Sequence, residues 1–311
     1  MAVLAVGRSG TLFALPGVVF PLRFASAALL AVLSSAAPTA GRAEPLPRRL
    51  EFDDRFRPFQ WPDAAQSAAT LGAYAYLEFQ VEHPTEGHWH DPILFDTGAR
   101  DALLAQTPAG RRTADLVSDI AWYGPMLLPW LEGLAVPLAT DRGNYRVAFQ
   151  LTALNAQAVS VVALLTRAGH KLIARERPDV EPCLANPAYN EQCFGGAFAS
   201  FPSGHVSAGL VGAGLSCAHH AYLPLYGGGA ADTIVCVGAT ALGVAGGIAR
   251  ISADRHYLTD VIAGGVLGWG VGYAMPVLLH YEWRAVPRAT AWTITPWATS
   301  DMAGLAALGL W

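Results

Sequence analysis

The sequence predicts an all-α protein: a helical bundle of about five to six helices, membrane-embedded, with a polar N-terminal exported segment. Two observations carry this. Of 311 residues, 53% are hydrophobic and only 14% are charged, against about 25% charged in ordinary soluble domains. The apolar residues also gather into long windows of helical character, and two of these, 147–166 and 233–249, contain no formal charge. Stretches of about 20 apolar residues are long enough to cross a bilayer.

The chain divides into four parts. Residues 1–43 read as a signal peptide or an uncleaved N-terminal anchor. Arg8 and Arg23 are the only charges before Arg42, and the apolar run 24–33 precedes small residues. Residues 44–115 are polar and aromatic and read as an exported segment, with a strand expected near 73–81. His83, His88 and His90 read as a solvated loop, because no carboxylate or cysteine stands at metal-ligand spacing. Residues 116–282 hold five apolar windows: 116–139, 147–168, 206–226, 233–249 and 261–281. Gly264, Gly265, Gly268, Gly270 and Gly272 suit close helix packing. The tail, 283–311, reads as a strand pair or an amphipathic piece.

Five spans place 171–202 and 250–256 on one side of the membrane, together with 44–115. The opposite loops carry Arg142, Arg146, Arg284 and Arg288, a mild positive-inside bias. The net charge of −4 argues against a nucleic-acid binder.

The chemistry concentrates in three stretches. The first is His170-Lys171 with Arg175, Arg177 and Pro178. The second is Phe201-Pro202-Ser203-Gly204-His205. The third runs from Arg250 through Arg255 and His256 to Asp260. Residues at i and i+4 share a helix face, so Asp260 is expected to hold one ring nitrogen of His256. That leaves the other nitrogen free as a nucleophile. Arg177 and Arg250 are expected to clamp phosphoryl oxygens, with Lys171 as a third cation. Ser203 and Gly204 open a helix whose N-terminus would face the phosphate; an ordinary N-cap is the bland alternative for Ser203.

In order and spacing these stretches resemble the signature of the type-2 phosphatidic acid phosphatase superfamily, which includes vanadium haloperoxidases and bacterial acid phosphatases. Its motifs are a Lys-rich Arg-Pro stretch, Pro-Ser-Gly-His, and Ser-Arg followed by His and Asp. The sequence departs from it twice. Ala249 stands where the family has Ser, and the family's Lys position falls on His170 rather than Lys171. The resemblance implies His256 as nucleophile, Asp260 as its orienter and His205 as general acid and then base. It implies a phosphatase that needs no metal, acting on a lipid phosphate or diphosphate. The expected location is a bacterial inner membrane with the site facing the periplasm; a soluble periplasmic protein is the alternative. Membrane lipids are the expected surroundings, and oligomeric state stays open. A haloperoxidase using vanadate in the same pocket and a non-catalytic member of the fold are the competing readings. No other cofactor is implied.

Cys183 and Cys193 lie in the polar loop between the first two motifs and are candidates for a disulfide in an oxidising compartment. Cys217 and Cys236 fall in apolar windows and are expected to be small packing residues.

Overall fold

The computed structural model describes residues 50–140, 143–190, 193–284, 291–298 and 303–310. The expected signal segment 1–43 and two residues of the charge bias, Arg142 and Arg288, lie outside the described residues. Eight α-helices are described: α1 Trp61–Phe79, α2 Asp96–Leu103, α3 Pro108–Thr140, α4 Tyr145–Leu172, α5 Val180–Ala185, α6 Gly204–Tyr222, α7 Ala230–Ser252 and α8 Leu258–Pro276. A π-helical turn, Val277–Tyr281, continues α8. The tail forms an antiparallel pair, β1 Ala291–Ala298 and β2 Ala303–Leu310, with Ala291 opposite Leu310. The fold is the helical bundle the composition predicts.

Helix α6 is the axis of the bundle and packs against α3, α4, α7 and α8. Nearly all of it is buried, from Val206 to His220. Its tightest seam is with α8. Gly264, Gly268 and Gly272 recur every fourth residue and so share one face. A Cβ on Gly268 or Gly272 would overlap the carbonyl oxygen of Ser207 or Val211 on α6. The two backbones therefore touch directly, as small residues allow in membrane helix pairs. This contact sets the start of α8 against the start of α6, where Ser203 N donates to the Asp260 carbonyl at 3.0 Å.

Among the described residues, three helices are long and apolar enough to cross a membrane: α4, α7, and α8 with its π turn, Leu258–Tyr281. This supports membrane association. The windows expected to span as α3 and α6 fall outside that set. Arg111, Arg112, Asp115 and Asp119 charge the first half of α3, and α6 is built of small and polar residues.

Two local expectations are corrected. Residues 73–79 are helical, not a strand: their alternation of Ala and Tyr continues α1, which packs on α4. Cys217 and Cys236 are not free packing residues. They form a disulfide between α6 and α7, which bring their Cα atoms to 4.4 Å, while Cys183 and Cys193 form a second disulfide.

The glycine seam predicts an asymmetric response. Gly268→Val should cost about 3 kcal/mol or prevent folding, because a backbone atom must move. Gly270→Ala, where a Cβ meets nothing within 4 Å, should be neutral or slightly stabilising. Thermal midpoints in detergent read both.

Candidate active site

The three motifs converge at one end of the bundle. The first follows α4, the second opens α6, and the third joins α7 to α8. Their meeting point is a fully buried guanidinium. Arg175 Nη2 donates to Asp96 Oδ2 of α2 and Nη1 donates to Asp260 Oδ1 of α8, both at 2.7 Å, with all three side chains inaccessible. The Arg175 guanidinium lies 3.8 Å from the Trp89 ring centroid and 4.3 Å from that of Tyr257. The 88–90 stretch pairs with the first motif through His88 N to the Ala174 carbonyl and Glu176 N to that of Trp89.

Asp260 does not hold His256 as the spacing suggested. Its Oδ2 is 3.9 Å from His256 Nδ1 and is taken by the Tyr257 amide at 2.8 Å and the Ser200 hydroxyl at 2.7 Å. Asp260 thus closes the first turn of α8. The His256 Nδ1–H donates instead to the Ser200 carbonyl at 2.8 Å. The orienting path runs from Asp260 through Ser200 to the ring. A carbonyl acceptor places the proton on Nδ1 and leaves Nε2 with its lone pair. Nε2 is buried and has no hydrogen-bond partner among the described residues. Burial first, then Arg177 and Arg250, hold this imidazole well below its ordinary pKa. It therefore stays neutral as pH falls through about 6.5, the ordinary histidine value.

Other unpartnered polar atoms gather beside it. Arg177 Nε and Nη1, Arg250 Nε and the Ser203 hydroxyl are all buried without a partner among the described residues. Such groups are costly unless a ligand completes them. Ser203 occupies the N-cap position of α6, yet its hydroxyl caps nothing; the bland reading of this serine fails. Arg250 is pinned by Asp115 and the Ser118 hydroxyl of α3. Arg177 has no carboxylate partner among the described residues, and burial and then Arg255 and Arg250 push its pKa down. Arg255 pairs with Asp179 at 2.8 Å and is structural.

His205 lies at the mouth. Its Nε2 donates to Asp119 Oδ1 at 3.1 Å, and its ring meets Trp122 edge-on at 5.4 Å. His256, His205, Gly204 and Arg177 line a cavity of about 480 Å³. One side of its wall is apolar, with Trp122 and Met126 of α3, Val159 and Val162 of α4, and Val211 of α6, while His83 and Thr166, Arg167 and His170 of α4 add polar groups elsewhere. Val159 lies three turns along α4 from His170, about 16 Å.

Lys171 is not at the cavity. Its ammonium donates to the Val81 carbonyl at 2.6 Å. One residue earlier on α4, about 100° around the helix, His170 lines the cavity and donates through Nε2 to the Pro202 carbonyl at 2.9 Å. Among the described residues, no group of three or more His, Cys, Asp or Glu is arranged to hold a metal ion.

Residues 149–284 match a family model, that of the PAP2 superfamily. This stretch, less than half of the chain, carries all three motifs, and the match supports the type-2 phosphatidic acid phosphatase and haloperoxidase superfamily, whose members generally hydrolyse phosphoesters. The comparisons with curated proteins and with solved structures give no match. Asp96, Asp115, Asp119 and Trp122 lie before the matched stretch, and motif reading passed over all four as partners. A carboxylate paired across 79 residues or more leaves no periodic trace.

The relay through Ser200 gives a direct test. Ser200→Ala should lower kcat by about a hundredfold, the order expected for a displacement near 1 Å at a reacting group. Direct support of His256 by Asp260 would leave kcat unchanged. Asp260→Ala, which strands buried Arg175, should cost about 3–5 kcal/mol of stability in denaturant titrations.

Proposed function

We propose that the protein is a metal-independent phosphatase acting on a lipid-linked phosphomonoester or diphosphate through a phosphohistidine at His256. The observation that carries this is the set of buried unpartnered groups, His256 Nε2 and Arg177 Nε and Nη1 of residues that line the cavity, with Ser203 Oγ and Arg250 Nε of the adjoining motif residues, beside a cavity wall that is apolar on one side. Their donors suit the equatorial oxygens of a phosphoryl group, and the one lone pair suits its phosphorus. Preorganised donors in a site shielded from water supply the largest part of phosphoryl-transfer catalysis.

In this reading His256 Nε2 attacks phosphorus. Arg177, Arg250 and Ser203 hold the three equatorial oxygens as charge spreads over them. His205 gives a proton to the leaving oxygen as the P–O bond breaks. It then takes a proton from water, which attacks the phosphohistidine, releases inorganic phosphate and restores neutral His256. Burial, then Arg250 and Arg177, hold the pKa of His205 down at about 2 without substrate, so the negative charge of the bound phosphate, with Asp119 on Nε2, is what favours the protonated form in the first half-reaction. The apolar wall fits a hydrocarbon chain, whose burial contributes about 0.8 kcal/mol per CH₂. We infer that the site faces the periplasm of a bacterial inner membrane, from the placement of all three motifs at one end of the bundle and the mild positive-inside bias read from the sequence of the opposite loops.

Phosphate release from detergent-solubilised protein tests the reading, with phosphatidate, a polyprenyl diphosphate and a soluble aryl phosphate as substrates. Release should persist in EDTA and favour a lipid substrate. It should fall at least about a thousandfold in His256→Ala, and about 10²–10⁴-fold in His205→Ala. Full activity in either variant, or loss in EDTA, would overturn the mechanism.

A further inference from the structure

Helix α1 is built inside out for a helix in water. A surface helix of a soluble protein turns an apolar stripe to the core and polar residues to solvent. In α1 the polar side chains point inward. Asp63 is buried and bonded by Arg57 at 2.9 Å. Gln66 accepts from Gln157 Nε2 at 2.9 Å, and Thr70 bonds Ser160 at 2.7 Å. Glu78 pairs with Arg167. Each partner except Arg57 is on α4. The outward face instead presents Trp61, Leu71, Tyr76 and Phe79, with Trp61 80% and Phe79 75% exposed. Asp63 and Glu78, the only charged residues of α1, are both turned inward.

Such an arrangement suits hydrocarbon, where ionisable groups face the bundle and pair and interhelical hydrogen bonds join helices. At 19 residues, α1 is about 28 Å long, close to the thickness of a bilayer core. Its outward face continues a surface already apolar on the candidate spans, as at Phe149 of α4, Ile248 of α7 and Val266 of α8. Mean hydropathy passes over α1 because its inward polar residues are averaged with its outward apolar ones.

The pairings also fix direction. Residues 66, 70 and 78 meet 157, 160 and 167 of α4 in the order that α4 runs, so the two helices are parallel. The chain before α1 lies at the far end from the cavity: Arg57 N donates to the His280 carbonyl at 2.8 Å, and Asn144 Nδ2 to that of Leu50 at 2.6 Å. The chain after α1 lies at the cavity end, where Val81 accepts from Lys171. We propose that α1 spans the bilayer beside α4 with its outer face against lipid acyl chains, leaving residues 50–60 on the opposite side of the membrane from the catalytic cavity. The exported reading of 44–115 then holds only for the part after α1.

All four native cysteines are in disulfides, so an introduced cysteine is the one free thiol. A nitroxide on Ala68→Cys, and separately on Ala65→Cys, is read in full-length protein in liposomes. The proposal expects relaxation by oxygen to exceed that by a water-soluble nickel chelate at both positions. Dominance of the nickel chelate would mean a water-facing helix, and low access to both would mean cover by a second copy; either overturns it. Asp54→Cys and Glu82→Cys are then labelled with a membrane-impermeant maleimide on sealed cells. One should react only after permeabilisation and the other before. Reaction of both from the same side overturns the proposal. None of these variants touches the phosphate-binding groups, so the result stands apart from the phosphatase reading.

Discussion

The site depends on the buried ion pair network of Arg175. One guanidinium, inaccessible to water, joins Asp96 of α2 to Asp260 of α8. Its cost in lost hydration is large, and it is met by four hydrogen bonds and two aromatic faces. The consequence is geometric. Asp260, held on one oxygen by Arg175, uses the other to hold the Ser200 hydroxyl and the Tyr257 amide. The Ser200 carbonyl then fixes the ring of His256. A residue that touches no substrate sets the direction of the proposed nucleophile through two intermediates.

Around this network the motif arginines Arg177, Arg250 and Arg255 join Arg175 at one end of the bundle, and α3 supplies carboxylates to that end: Asp115 to Arg250 and Asp119 to His205. Arg250 is paired with Asp115, whereas Arg177 has no carboxylate partner among the described residues, and its unpartnered donors are the ones the proposed phosphoryl group would complete. The glycine seam between α6 and α8 serves the same end. Two backbones in contact cannot slide by a fraction of an ångström, so Ser203 and Asp260 stay in register.

Much of this was legible in the sequence. The three motifs, their order and the helical character of the bundle follow from spacing and composition, and the structure gathers His205, His256, Arg177 and Arg250 where the motifs suggest. What failed was inference from local geometry to contact. The i, i+4 spacing of His256 and Asp260 is real, yet Ser200 intervenes and takes the carboxylate. Lys171 is a cation one residue off the cavity-facing position, and one residue on a helix turned it to Val81. The partners on α2 and α3 are 79 or more residues from the groups they hold, beyond the reach of any periodicity. In α1 the window average hid an arrangement that only the neighbouring helix reveals.

The central claim is that His256 carries the phosphoryl group, and trapping it tests the claim most directly. Wild-type protein is mixed with a substrate carrying labelled phosphate, quenched in alkali, where phosphohistidine survives, and digested for mass spectrometry. The account predicts a phosphoryl group on the peptide containing His256, attached at Nε2. A phosphoryl group on another residue, or none at any time while phosphate is being released, would contradict it.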